Sequence, residues 1–80
     1  MSKPAPIPEL ESVALTRDIP EFGLKAGDLG TIVMVHAGGE GYTVEFCDLT
    51  GETIAVATLE AGSIRRIEHG EVASARRLAG

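Results

Sequence analysis

The side chains in this sequence best suited to covalent chemistry are one cysteine, Cys47, and two histidines, His36 and His69. A thiol becomes a strong nucleophile only when a neighbouring base or positive charge stabilises its thiolate. Cys47 would gain such a base if it lay near His36 across the hairpin between them. The alternative interpretation, a half-buried structural cysteine, matches the behaviour of most free cysteines. We therefore predict no catalytic residue and a protein that is not an enzyme.

The same residues are too few for a typical metal site. Structural zinc sites take four Cys or His ligands at short spacings, and catalytic zinc sites take three protein ligands. This chain offers one cysteine, two distant histidines and no closely spaced acid–histidine motif. The single cysteine also excludes an intrachain disulfide. Neither a metal ion, nor another cofactor, nor a small-molecule substrate is predicted.

Three acidic residues, Asp18, Glu21 and Asp28, fall within one long predicted loop. Together they would form an acidic rim that attracts a basic peptide or a basic protein surface, because opposite charges accelerate encounter. The simpler interpretation is that they are solvated loop charges, which are common on protein surfaces. The sequence alone is compatible with both interpretations.

Arg65-Arg66 and Arg76-Arg77 are the basic pairs of the chain. An RNA-contact patch built from both would need aromatic side chains for base stacking. The chain has one Tyr, two Phe and no Trp, and the core requires most of them. The formal net charge of −5, concentrated between residues 13 and 67, also repels phosphates. We therefore do not expect nucleic acid to be the partner.

A chain of 80 residues, 44% hydrophobic and 24% charged, is sized for one domain with a small core. From residue 11 onward, short runs rich in Val, Ile and Thr alternate with Gly, Asp and Glu, which is typical of strands joined by turns. A meander of this kind closes into a barrel, so the predicted fold class is all-β, a small five-stranded SH3-like barrel. The predicted strands span residues 12–17, 29–36, 42–46, 53–58 and 64–67, with a single 3₁₀ turn within residues 59–63.

The third predicted strand has the clearest pattern of alternation. Tyr42, Val44 and Phe46 point inward, because successive side chains of a strand lie on opposite faces. The inward positions predicted for the first and fourth strands are Val13, Leu15, Ile54 and Val56.

The second predicted strand is apolar on both faces. Either Val33 and Val35 point inward and Ile32 and Met34 outward, or the reverse. In both arrangements one apolar pair lies near the surface, and exposed apolar patches mark contact sites.

Two segments flank the predicted domain, which spans residues 11–68. Three prolines within the first eight residues favour an extended, flexible tail over residues 1–10. Residues 69–80 are expected to form a second tail or a short helix.

The helix would cover residues 71–79. Glu71 lies near its start, and Arg76 and Arg77 lie near its end, which is the charge order that the helix dipole favours. A helix this short needs a surface to pack on. Its apolar stripe would consist of Val72, Ala75 and Ala79.

Two motifs carry a family resemblance. Residues 24–33 read Leu-Lys-Ala-Gly-Asp-Leu-Gly-Thr-Ile-Val, and residues 42–46 read Tyr-Thr-Val-Glu-Phe after a glycine turn. This pattern resembles a small, uncharacterised bacterial domain family marked by a Gly-Thr-Ile-Val motif, and more widely KOW-type and other SH3-like modules. The resemblance covers about residues 13–67 and implies an SH3-like barrel. It implies no activity, because that family has none assigned and a fold does not determine a function.

The longest unbroken apolar run covers residues 32–35 and is far shorter than the roughly 20 residues of a membrane-spanning helix. The first eight residues also lack the apolar centre of a secretory signal. We expect no membrane association and a cytoplasmic location.

The leading functional hypothesis is an interaction module that binds another protein or a second copy of itself, as an accessory or an immunity- or antitoxin-like companion. The alternative is a KOW-like RNA- or ribosome-associated module that uses the two arginine pairs. The residues predicted to contact a protein partner are Ile32, Met34, Phe22, Tyr42 and Leu78, with Asp18, Glu21 and Asp28 as steering charges.

Overall fold

Five antiparallel strands form one sheet in the computed structural model, which describes residues 5–78. The strands are β1 (Ser12–Leu15), β2 (Leu29–His36), β3 (Gly41–Cys47), β4 (Thr53–Glu60) and β5 (Ile64–Arg66). Along the sheet they lie in the order β4-β3-β2-β1-β5. Short 3₁₀ turns occur at Pro20–Phe22 and Ala61–Ser63.

The predicted all-β, SH3-like fold class is confirmed, and each of the five predicted strands is present. The predicted closure of the barrel is not seen. In the described part of the chain, β4 and β5 are the two edges of the sheet and no ladder joins them. The predicted 3₁₀ turn, observed at Ala61–Ser63, links these edges instead. The sheet therefore forms an open barrel.

The inner face of β3 is the centre of the core. Tyr42, Val44 and Phe46 are all buried, which confirms the alternation predicted for this strand. Val13 and Leu15 of β1 are buried as predicted and belong to the same cluster. A contiguous apolar core is therefore built on the side chains that β3 points inward.

A β-bulge in β2 interrupts the alternation of that strand. Ile32 pairs with Val44 and Met34 pairs with Thr43, so Val33 is an extra residue on β2. Ile32 is fully buried, whereas Val33 and Met34 are 38% and 51% exposed. Neither predicted arrangement is correct, because both assumed unbroken alternation. Ile32 lies in the core, whereas the prediction placed it on the surface that contacts a partner.

The inward face of β4 is also different from the prediction. Ile54 and Val56 were expected to point inward, but Val56 is 54% exposed and Ile54 is only partly buried. A second bulge lies opposite the Phe46–Cys47 step and makes Ile54 the extra residue. Ala55 then pairs with Phe46, and small side chains fit where large ones from β3 already fill the space. The buried residues of β4 are Ala55, Ala57 and Leu59.

Residues 5–10 of the predicted flexible tail lie against the sheet, and residues 1–4 are outside the described part of the chain. The backbone N–H of Ile7 donates to the Tyr42 hydroxyl at 3.0 Å. The N–H of Leu10 donates to the Ile32 carbonyl at 2.7 Å. Ile7 is partly buried against the core cluster.

Of the two alternatives predicted for residues 69–80, a tail or a short helix over 71–79, the helix is not observed. Residues 71–78 have no helical structure, and position 79 lies outside the described residues. Two ion pairs with the barrel hold this part of the chain instead: Arg65 with Glu71, and Arg76 with Asp28. A helix of nine residues is only marginally stable in water, so the ion pairs with the barrel outweigh the small stability that a helix would gain.

The described residues contain no helix long and apolar enough to cross a bilayer.

The close approach of β2 to β3 at Gly30 generates the first prediction. A Cβ at position 30 would lie 2.5 Å from Val44 Cγ1 and 2.9 Å from Phe46 Cε1. Gly30→Ala should therefore lower the free energy of unfolding by about 1–3 kcal/mol, because overpacking shifts the core. Urea denaturation measures this, with Gly62→Ala as the control because no atom lies within 4 Å of its added Cβ. Equal stability of the two variants would contradict the packing described for β2 and β3.

The Arg65–Glu71 pair generates a second prediction, on pH dependence. Hydrogen bonds from Arg65, and then from the Glu68 N–H, lower the pKa of Glu71 from 4.5 to about 2. A lowered pKa means that this contact is complete above pH 4.5 and is lost as the pH falls through about 2. An NMR titration of the Glu71 carboxyl should give a midpoint near 2. Arg65→Ala should raise that midpoint toward 4.5, and Arg66→Ala should leave it unchanged. An ordinary Glu71 titration in the unsubstituted protein would refute the pair.

Candidate functional site

A groove of about 410 Å³ runs along one side of the barrel. One wall is the loop and strand start of residues 24–29, and the other consists of residues 46–49 with Ile54. Side chains from residues 72–78, which we call the tail segment, line its third side. The end of the chain's long loop, the β3–β4 turn and the tail segment therefore meet at one place.

The first wall is fixed by carboxylates that accept backbone hydrogen bonds. Asp18 accepts from the N–H of Ala26 at 2.9 Å, and Asp28 accepts from the N–H of Lys25 at 2.8 Å. The N–H of Gly27 donates to the carbonyl of Leu15 at 2.8 Å, which ties the loop to the end of β1. The Asp28 carboxylate therefore sits on a braced loop and has a defined position.

The opposite wall is fixed by Asp48 in the turn between β3 and β4. Its Oδ1 accepts from the Thr50 hydroxyl at 2.6 Å and from the N–H groups of Thr50 and Glu52 at 2.9 and 3.0 Å. The Thr50 hydroxyl is the main cause of a lowered Asp48 pKa, and the backbone donors add to it. The turn keeps this shape while Asp48 is ionised.

The floor of the groove is apolar. Leu24 and Phe46 belong to the buried core, and Leu29 is 43% exposed at the start of β2. Leu49 lies on the far wall and is almost fully exposed. An apolar floor with few fixed polar groups is the usual composition of a binding groove.

Arg76 of the tail segment occupies the acidic end of the groove. Its Nε donates to Asp28 Oδ1 at 2.9 Å, and its Nη2 donates to Asp28 Oδ2 and, at 3.1 Å, to the Gly23 carbonyl. The hydrogen bonds from Arg76 are the main reason why the pKa of Asp28 is lowered. The carboxylate is thus held ionised by a guanidinium that reaches it from 48 residues further along the chain.

The predicted contact residues separate into three groups. Asp28 and Leu78 line the groove, and Asp18 supports it from behind by accepting a hydrogen bond from the N–H of Ala26. Phe22 and Glu21 are exposed on the 3₁₀ turn that ends at Gly23. The remaining predicted residues lie elsewhere, with Ile32 and Tyr42 in the core and Met34 on the outer face of β2.

Arg76 was missed as a groove residue. The sequence placed it in a candidate RNA patch with Arg77, because no local spacing relates it to Asp28. Sequence reasoning also missed the contribution of Gly23, since a backbone carbonyl carries no residue-specific signature.

The suggested pairing of Cys47 with His36 is wrong. His36 pairs with Gly41 at one end of β3, and Cys47 is the residue at the other end. Six residues of strand separate them by about 20 Å. The His36 ring bonds the Thr43 hydroxyl at 2.7 Å, while Cys47 is exposed beside the groove. Residues 5–78 also contain no group of three His, Cys, Asp or Glu side chains arranged to hold a metal ion.

Comparison with known proteins gives a family but no described relative. Residues 9–66 match DUF4926, whose description is "Domain of unknown function". The match contains both walls of the groove and ends before the tail segment. No curated protein and no solved structure matches the chain. Because the matched residues make up most of the sequence, the chain belongs to the DUF4926 family of domains of unknown function.

Proposed function

We propose that this protein is a non-enzymatic protein-interaction module and that the groove is its binding surface. The observation that carries the proposal is that a segment of the chain without helix or strand already lies against the two walls and forms the third side of the groove, with Arg76 at its acidic end and Leu78 in its lining. A surface that accepts one such segment has the shape and chemistry to accept another. The proposed setting is a bacterial cytoplasm, where the protein acts as an accessory or an immunity- or antitoxin-like companion of another protein.

The form of the groove supports this choice. Its walls are braced by Asp18, Asp28 and Asp48, each of which accepts backbone hydrogen bonds within its own loop or turn. A braced surface loses little conformational entropy when a partner binds. The exposed apolar side chains Leu29 and Leu49 supply contact area, and the ionised Asp28 supplies orientation.

The outer face of the sheet is a weaker candidate for the same function. Val33 and Met34 on β2 and Val56 on β4 are exposed apolar residues of the sheet, but β3 lies between the two strands and presents Thr43 and Glu45 there. Small apolar areas interrupted by polar side chains are normal on a protein surface. The polar side chains of β3 therefore divide the apolar area of the outer face.

The RNA-binding alternative loses support from the positions of its arginines. Arg65 is paired with Glu71, and Arg76 is paired with Asp28. A phosphate would have to compete with carboxylates already in contact with these two side chains. The chain's formal net charge of −5 opposes that competition.

Substituting one groove residue and one outer-face residue of the same strand tests the proposal. Leu29→Gln and Met34→Gln remove apolar side chains of similar exposure from β2 without changing the charge. Capture on the immobilised protein from a lysate of the native host, followed by measurement of the purified partner's affinity, should show about a tenfold loss for Leu29→Gln, which corresponds to about 1.4 kcal/mol. Met34→Gln should bind as the unsubstituted protein does.

The opposite ranking of the two variants would move the binding surface to the outer face. Retention on immobilised RNA that weakens steeply with salt would favour the KOW-like alternative over a protein partner.

A further inference from the structure

We propose that the tail segment is an internal occupant of the groove, and that the partner of the groove is an extended segment whose arginine displaces Arg76. The proposal rests on the proposed function, because it names the chemistry and the regulation of the same surface. It predicts a partner that is basic at the point of contact and aliphatic two residues later, as the tail segment is at Arg76 and Leu78.

The acidic end of the groove selects arginine by geometry. Asp28 receives two donors of one guanidinium, Nε and Nη2, and the same Nη2 reaches the carbonyl of Gly23 at 3.1 Å. A planar fork can satisfy a carboxylate and a neighbouring carbonyl together, whereas the ammonium of a lysine is a single point charge on a flexible stem. The site therefore distinguishes the two basic side chains.

The groups that bind the guanidinium are held in place by contacts that do not involve the tail segment. Asp28 is braced by the N–H of Lys25, and Gly23 adopts a left-handed conformation with φ of 70°. The N–H of Gly23 donates to the Pro20 carbonyl at 3.1 Å, which closes the 3₁₀ turn. All these residues lie within the family match of residues 9–66, and Arg76 lies outside it. A partner's arginine would therefore meet the same carboxylate and carbonyl.

The tail segment is held in a way that permits exchange. Every residue from 72 to 78 is exposed, including Val72 at 89%. In the described part of the chain, no backbone hydrogen bond joins residues 72–78 to the barrel. The anchors are the ion pairs Arg65–Glu71 and Asp28–Arg76, which are partly exposed and therefore open to competition from another charged group. A segment anchored in this way blocks weakly binding ligands. A ligand that makes more apolar contacts with the groove than the tail segment does would displace it.

Electrostatics favours a basic partner even after Arg76 has left. Displacement exposes the Asp28 carboxylate beside Asp18 and across the groove from Asp48. The freed carboxylate belongs to a chain whose formal net charge is −5, so the surroundings also favour a basic partner. An arginine-bearing segment restores the lost pair, whereas an acidic or neutral segment leaves the carboxylate without one.

A competition experiment on the full-length chain tests the proposal. The probe is a fluorescently labelled synthetic peptide of residues 71–80, and its binding is followed by fluorescence anisotropy. The Arg76→Ala protein, whose groove is released, should bind the peptide at least tenfold more tightly than the unsubstituted protein. A peptide with Lys in place of Arg76 should bind the released groove about tenfold more weakly. Asp28→Asn in the Arg76→Ala protein should abolish binding while keeping an acceptor for the Lys25 N–H.

Three results would overturn the proposal. Equal affinity of the unsubstituted and Arg76→Ala proteins would mean that the tail segment does not block the groove. Equal affinity of the Arg and Lys peptides would remove the geometric selection. A concentration-dependent dimer that disappears in Arg76→Ala, seen by light scattering, would mean that the tail segment binds a second copy rather than its own groove.

The outcome is separable from that of the proposed function. The comparison of Leu29→Gln with Met34→Gln does not involve Arg76, so a groove that captures a partner can exist without an internal occupant. Conversely, the peptides could bind in the predicted order while Leu29→Gln still captured the partner. That result would support the tail segment as an internal occupant and would refute the groove as the partner's site.

Discussion

The row of side chains that β3 points inward is the constraint on which the structure depends. Tyr42, Val44 and Phe46 are all buried, and the bulges of β2 and β4 lie on either side of them. A glycine is required opposite, at Gly30, because a Cβ there would meet Val44 and Phe46. The same row connects the core to the surface, since Phe46 lines the groove and the Tyr42 hydroxyl accepts the hydrogen bond that holds Ile7. A small chain with one core must use its few large side chains for both purposes.

The groove follows from how the connections between strands are braced. The long loop after β1 would be an exposed segment if Asp18 and Asp28 did not accept its backbone N–H groups. Burial of Ile19 and Leu24, which bridge to each other, closes that end of the barrel and brings Gly23 beside Asp28 and Arg76. Hydrogen bonds that shape the fold therefore also hold the groups that bind the guanidinium. The contact with Arg76 is partly open to solvent, so a second guanidinium can reach Asp28 and replace it.

Much of the fold could be predicted from the sequence, but which side chains of β2 and β4 point inward could not. Alternation in β3 is unambiguous, and the glycine-rich and Asp48 turns bound it on both sides, so the predicted strands lie close to the observed ones. The inward residues of β4 were wrong because branched side chains were expected inside, whereas Ala55 and Ala57 fit opposite Phe46 and Val44. Bulges arise from such packing between strands and leave no local signal. Some of the groove residues were predicted, because the acidic residues of the loop cluster in the sequence. Arg76, the partner of Asp28, was not predicted, because it lies too far along the chain for residue spacing to connect the two.

The contact between Arg76 and Asp28 holds the tail segment against the groove. Backbone ¹⁵N relaxation of the full-length chain tests this contact, because order parameters distinguish rigid backbone, at about 0.85, from flexible backbone, below about 0.6. We expect order parameters for residues 72–78 well above the flexible range in the unsubstituted protein and a fall into that range in Asp28→Asn. Flexible residues 72–78 in the unsubstituted protein, with no change on substituting Asp28, would contradict it.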